Sequence, residues 1–162
     1  MNRKTIAAAV VAVVAAGGIA YWSLGSANAP LRGSSVAADS GDKAITIWRD
    51  PGCGCCDAYA DYLEGNGYAV TRVDDPDFDK RSIEVGVPQQ GIGCHLAEIG
   101  GYVVSGLVPA EIIDRLVTER PDITGITLPG MPANAPGMAP KKTGTLKTYA
   151  FGENGVTVYS EE

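Results

Sequence analysis

Ala44-Ile45-Thr46-Ile47-Trp48-Arg49-Asp50-Pro51-Gly52-Cys53-Gly54-Cys55-Cys56 joins a short apolar run to three of the chain's four cysteines. Asp57 to Glu64 follows directly and reads as helix. The stretch is therefore a strand, a tight turn and a helix, with thiols delivered to the helix N-terminus. Free amides and the macrodipole at a helix start favour thiolate, the form that attacks disulfides and binds soft metals. The fourth cysteine, Cys94, directly precedes the only histidine, His95.

Outward from this stretch, Tyr59, Tyr62 and Leu63 recur at helical spacing, and Gly65-Asn66-Gly67 stops that helix. Tyr68 to Val73 reads as a second strand. Asp75-Pro76 reads as an N-cap and first helical position, opening a short helix to about Val85. Pro88 to Gly93 is a loop leading into Cys94-His95. Leu96 to Ile99 and Tyr102 to Ser105 are strands joined by Gly100-Gly101, a hairpin signal. Pro109 opens a helix whose Ile112, Ile113, Leu116 and Val117 form one core-facing stripe, and Arg120-Pro121 closes it.

Five of the ten prolines lie between Pro121 and Pro140, so this stretch, with Met131 and Met138, reads as irregular but fixed. Leu146 to Phe151 and Val156 to Tyr159, joined at Asn154-Gly155, form a C-terminal β-hairpin. The class is α/β. The order β-α-β-α-β-β-α resembles that of the thioredoxin-like fold.

The chain has 162 residues, 45% hydrophobic and 20% charged, enough for one globular domain with appendages. Arg3 and Lys4 precede an uncharged Ala- and Val-rich run from Ile6 to Leu24, the pattern of an export signal. Ala27-Asn28-Ala29 has the small-x-small form of a cleavage site, although Pro30 is a poor context for it. The run is also nearly long enough to span a bilayer, with Tyr21-Trp22 suited to the interface. Residues 1–29 are thus a cleaved signal or an inner-membrane anchor, and either places the domain outside the cytoplasm. Residues 30–43 read as a flexible tether and 44–162 as the folded domain. Residues 30–162 carry 11 basic against 19 acidic side chains, a net of −8. An acidic domain without a basic run excludes nucleic acid as the expected partner.

Four cysteines outside the cytoplasm ordinarily suggest structural disulfides, but the spacing argues otherwise. Cys55 and Cys56 are neighbours, and Cα atoms about 3.8 Å apart fall below the disulfide range of about 4.4–6.8 Å. A Cys53–Cys56 bridge closes a tiny loop and so restricts the unfolded chain very little. In a thioredoxin-like chain the loop before the third strand faces the cysteine pair and ends in a cis-proline; here Gly93-Cys94-His95 stands there. That brings Cys94 and His95 toward Cys53, Cys55 and Cys56, a set of soft ligands suited to a thiophilic metal. The bland alternatives are a structural bridge, Cys55 as a small buried hydrophobe, His95 as a hydrogen-bonded core residue, and a Cys3His zinc site. Met131 and Met138 are soft donors that favour Cu(I), or else fill gaps in packing.

Asp50-Pro51-Gly52-Cys53-Gly54-Cys55-Cys56, Cys94-His95, Gly100-Gly101-Tyr102-Val103, Gly106-Leu107-Val108-Pro109, Gly130-Met131-Pro132 and Pro136-Gly137-Met138 together resemble an exported bacterial family. It comprises thioredoxin-like metal-binding proteins associated with copper resistance, of the periplasmic CopG type. The resemblance spans about residues 44–160. It implies a periplasmic copper-handling protein with ligands at Cys53, Cys55, Cys56, Cys94 and His95, and with Met131 and Met138 as further candidates. Gly93 stands where relatives often carry a small polar residue, a change expected to touch local hydrogen bonding.

The resulting reading is Cu(I) on the thiolates of Cys53, Cys56 and Cys94, completed or bridged by Cys55 and His95. Cys53 and Cys56 are the catalytic pair if disulfide formation is coupled to Cu(II) reduction. Copper ions, and other periplasmic copper-handling proteins, are the expected partners. The alternatives are a thiol-disulfide oxidoreductase using Cys53 and Cys56, and a zinc-stabilised structural module.

Overall fold

Strand β1 (Ala44–Arg49) alternates as its sequence demands: Ile45 and Ile47 are buried on one face, and Thr46 and Trp48 turn to the other. It is the first element of a computed structural model that describes residues 43–162. The signal or anchor expected over 1–29, with its apolar helix, lies outside the described residues, as does the tether up to residue 42.

After β1 come α1 (Gly54–Gly65), β2 (Ala69–Asp74), α2 (Phe78–Glu84), β3 (His95–Ile99), β4 (Tyr102–Ser105) and α3 (Ala110–Glu119). Then follow β5 (Gly125–Thr127), β6 (Lys147–Gly152) and β7 (Gly155–Glu161). This is a mixed α/β fold on a seven-stranded sheet of order β2-β1-β3-β4-β5-β6-β7. β1 runs parallel to β2 and antiparallel to β3, and β4 runs parallel to β5. The remaining pairs are antiparallel.

Helices α1 and α3 cover one face. Tyr59, Ala60 and Leu63 of α1 and Ile112, Ile113 and Leu116 of α3 form one core with Ile45, Ile47, Ala97, Val104 and Ile126 of the sheet. Each fully buried Ile or Leu there contributes about 1.5–3 kcal/mol over exposure. On the opposite face Leu96, Val103 and Phe151 pack with Val87 and the partly buried Trp48 and Val85. Tyrosine hydroxyls tie the two helices. Tyr59 donates to the Val108 carbonyl at 2.7 Å, and Tyr62 accepts the Ala110 N–H at 3.0 Å. Tyr68 donates to Asp114 at 2.7 Å.

Three boundaries differ from the sequence expectation. Helix α1 begins at Gly54 rather than Asp57, so Cys55 and Cys56 lie inside its first turn. Helix α2 begins at Phe78 with Asp77 as N-cap. Asp75 instead accepts the Asp77 N–H at 3.0 Å and holds Arg81 at 2.7 Å, which makes a local turn in place of a cap. Strand β5 is additional: three residues are too few to show a period, and it forms because β4 and β6 flank it. Among the described residues no helix is long and apolar enough to cross a membrane.

Gly125 shows how closely β5 is seated. A Cβ there would stand 2.0 Å from the Val103 carbonyl oxygen and 2.9 Å from the Phe151 ring. Gly125→Ala is expected to lower stability by about 3 kcal/mol, because backbone rather than a side-chain tip must yield. Urea unfolding of the two proteins measures it, and an unchanged midpoint would contradict the packing.

Candidate metal centre

Arg49, the last residue of β1, sets the cysteine turn. Its guanidinium pairs with Asp57 of α1 and Asp74 of β2, both at 2.9 Å, and donates to the Asp50 carbonyl at 3.0 Å. Gly52 takes a positive φ of 77°, which suits glycine, and the Cys53 N–H returns to the Asp50 carbonyl at 3.2 Å. Cys53 is the N-cap of α1, and its carbonyl accepts the N–H groups of Cys56 and Asp57, each at 3.1 Å. Cys56, Tyr59, Ala60 and Leu63 fall at i, i+3, i+4 and i+7, and all are buried. The core stripe of α1 therefore starts at a cysteine. Cys55 points off that stripe and stays partly exposed.

The second segment enters through a 3-10 turn at Gln89–Gly91. The Gly93 N–H donates to Ser105 Oγ at 2.9 Å, and the Gly106 N–H to the His95 carbonyl at 3.1 Å. A Cβ on Gly93 would lie 2.2 Å from Gly106 Cα. Gly93 is thus held by sterics as well as by the hydrogen bonding that the sequence led one to expect. His95 opens β3 opposite Arg49, and alternation puts its ring with Ala97 and Ile99 on the α1 side. There it meets Tyr59, with ring centroids 4.7 Å apart.

Two triads result, each with its ligand atoms within 4.8 Å of one another: Cys53, Cys55 and Cys56, and Cys56, Cys94 and His95. Cys56 belongs to both. Cys56 Sγ lies 3.3 Å from the Cys94 carbonyl oxygen, and Cys94 Sγ lies 3.4 Å from His95 Nδ1. Cys53 and Cys56 are disulfide-bonded, while Cys55 and Cys94 are free thiols. Cys55 Sγ is 3.5 Å from Cys53 Sγ. With a sequence separation of 3, the bridge does little as a staple.

The electrostatics are those of a site lacking positive charge. Burial pushes the Cys94 thiol up to about 12, and the adjacent Cys55 sulfur adds to the rise. Burial also drops His95 to about 3, so its ring is neutral. Four free thiolates around one point, as the sequence suggested, do not describe this state: two sulfurs are bonded and Cys94 keeps its proton. His95 Nε2 is buried and has no hydrogen-bond partner. An orphan imidazole nitrogen is costly unless something else occupies it. Once reduced, neutral imidazole beside sulfur is a donor set that fits a soft cation.

The 128–140 loop, which carries Met131 and Met138, packs its backbone against this place. Gly130 forms a bridge with Gly93, and a Cβ on Gly137 would stand 2.6 Å from the Cys55 carbonyl oxygen and 3.0 Å from Tyr59 N. Each methionine directly follows one of these glycines. They are 56% and 42% exposed, so they do not fill gaps in the core. No cis peptide bond occurs among the described residues, in keeping with the missing proline before His95.

A family described as a protein of unknown function, DUF411, matches residues 92–138, from the turn before Cys94 to Met138. Two solved structures of the copper resistance protein CopG, forms 2 and 1, each align at 36% identity with a TM-score of 0.67. They cover 74% of this chain and 97% and 96% of their own lengths. The chain belongs to the CopG-type copper resistance family. No match was found among curated proteins. The family's sequence landmarks fall here on a cysteine cluster capable of holding a metal ion.

Arg49 and Tyr59 are the functional neighbours that sequence reading missed. Tyr59 was legible only as core, although its i+3 spacing from Cys56 already placed both on one face. Arg49 carried no signal, since its partners lie on separate elements.

His95 supplies a pH test on the metal-free protein. Its folded value lies below the ordinary histidine value, so the unfolded chain takes up a proton that the folded one refuses. Its contribution to stability is full above about 6.5 and declines as pH falls toward about 3. His95→Leu lacks this component, so the stability of wild type relative to the variant should fall from about pH 7 to about pH 4. Urea titrations at both pH values check it, and a constant gap would contradict a neutral buried ring.

Proposed function

We propose that this chain is a periplasmic Cu(I)-binding protein that contributes to copper resistance. The observation that carries the reading is the convergence of Cys56, Cys94 and His95, whose ligand atoms lie within 4.8 Å of one another. Cys53, Cys56 and Cys94 are the thiolate ligands, and Cys55 and His95 complete or bridge the site. Thiolates and imidazole select Cu(I) over hard cations. Membership of a family whose solved members are copper resistance proteins supports copper as the ion. The fold is read as thioredoxin-like, supported by the β-α-β-α-β-β-α order and by cysteines at the start of the first helix. Export rests on residues 1–29, as a cleaved signal or retained anchor.

Redox coupling is part of the proposal. A Cys53–Cys56 dithiol that gives one electron to each of two Cu(II) ions becomes the disulfide, yields two Cu(I) and releases two protons. The bonded pair in the structure supports this chemistry, and it equally favours a second reading as a thiol-disulfide oxidoreductase. In that reading Cys53 attacks and Cys56 resolves.

The test is anaerobic Cu(I) titration of the reduced full chain against a chromophoric competitor, with zinc added in a parallel run. Tight Cu(I) binding is expected to survive zinc and to weaken at least about 100-fold in Cys94→Ser. Affinity is also expected to rise with pH, because burial raises the Cys94 thiol above its ordinary value and it must lose its proton to bind. Equal retention of zinc would contradict the reading. Weak copper binding with catalytic turnover of a mixed disulfide, abolished in Cys53→Ser, would favour the oxidoreductase.

A further inference from the structure

Exposed methionines on a fixed loop need a reason. Burying each side chain would gain about 1.5–3 kcal/mol, and the chain forgoes it at both positions. The loop itself is held. Ala135 is fully buried at its centre, its N–H donates to the Pro132 carbonyl at 2.9 Å, and its carbonyl accepts the Met138 N–H at 3.1 Å. The loop therefore presents two thioethers to solvent from a rigid frame. One follows the glycine that bridges to Gly93, beside Cys94, and the other follows the glycine seated on the Cys55 carbonyl.

Behind them the cluster is graded. Cys53, Cys55 and Cys94 are partly exposed, whereas Cys56 and His95 have no exposed surface. An arriving Cu(I) must shed its carrier's ligands to reach Cys56 and His95. A neutral thioether binds Cu(I) softly and, unlike a thiolate, has no proton to lose first. Two such donors, exposed on the loop packed beside the cluster, supply intermediate ligands between carrier and interior.

We infer that Met131 and Met138 are exchange ligands, which take Cu(I) from an incoming carrier and pass it to the buried sulfurs without holding it at equilibrium. The inference rests on the copper-binding reading above. In the first step a carrier–Cu(I) bond breaks as a Cu–Sδ bond forms. In the second the Cu–Sδ bond breaks as a Cu–Sγ bond forms, and the thiol proton leaves to water. The metal stays Cu(I) throughout. The carrier is accordingly one that presents Cu(I) on few ligands with an open face.

The test uses the full chain, reduced and anaerobic, with Cu(I) supplied as a complex of a chromophoric chelator. Stopped-flow absorbance gives the transfer rate, and competition at equilibrium gives the affinity. Met131→Leu with Met138→Leu keeps the apolar surface and removes both sulfurs. The double variant should slow transfer by about tenfold or more while affinity moves by less than about threefold. In the loaded wild type both methionines should remain as readily oxidised by peroxide as in the metal-free protein, read by mass spectrometry. An unchanged rate would overturn the inference. So would a loss of affinity matching the loss of rate, or protection of the methionines on loading, since either makes them resident ligands. A wild type that takes up no Cu(I) would overturn the copper-binding reading itself.

Discussion

Cys56 and Tyr59, three residues apart on the buried face of α1, meet Cys94 and His95 at the head of β3, and the site depends on this contact. It needs two chain segments 38 residues apart to arrive at one buried point with sulfur and imidazole facing. Each segment is held by a device with little tolerance. Arg49 pins the cysteine turn through carboxylates on two other elements. Gly93 and Gly106 let β3 start closer to its neighbour than any side chain would permit. Tyr59 then closes the space, its ring against His95 and its hydroxyl on the Val108 carbonyl.

The price of the contact is electrostatic. A neutral imidazole with an unpartnered nitrogen and a thiol driven far above its ordinary value are both consequences of burial. Such groups cost stability unless a positive charge joins them. A soft monovalent cation among Cys56, Cys94 and His95 would displace the thiol proton and supply the missing positive charge. The Cys53–Cys56 bond answers the same constraint differently, removing two sulfurs from the donor set while the cation is away. Metal binding at Cys53 and Cys56 would thus compete with the disulfide for the same atoms.

Much of this was legible in the sequence. The alternation of Ile45 and Ile47, the stripe of α3 and the glycine turns gave the order of elements through α3 and the C-terminal hairpin. The CGCC and CH runs named the five residues that the fold brings together, because cysteines at a helix start and a Cys-His pair are side chains that a single site can gather. What stayed hidden is set by tertiary neighbours. Strand β5 is too short to carry a period, and Asp75 looked like a cap until its bonds to Asp77 and Arg81 were seen. Arg49 became visible only when β2 and α1 brought their carboxylates. The exposure of the two methionines could not be read either, since local sequence is equally consistent with thioethers that pack and thioethers that face water.

The most direct measurement is copper K-edge X-ray absorption of the reduced full chain loaded anaerobically with Cu(I). The account expects a sulfur-dominated first shell that includes a histidine nitrogen, with the nitrogen contribution lost in His95→Leu. A shell of nitrogen and oxygen alone, or a wild-type shell without a histidine nitrogen, would contradict a copper centre built where α1 meets β3.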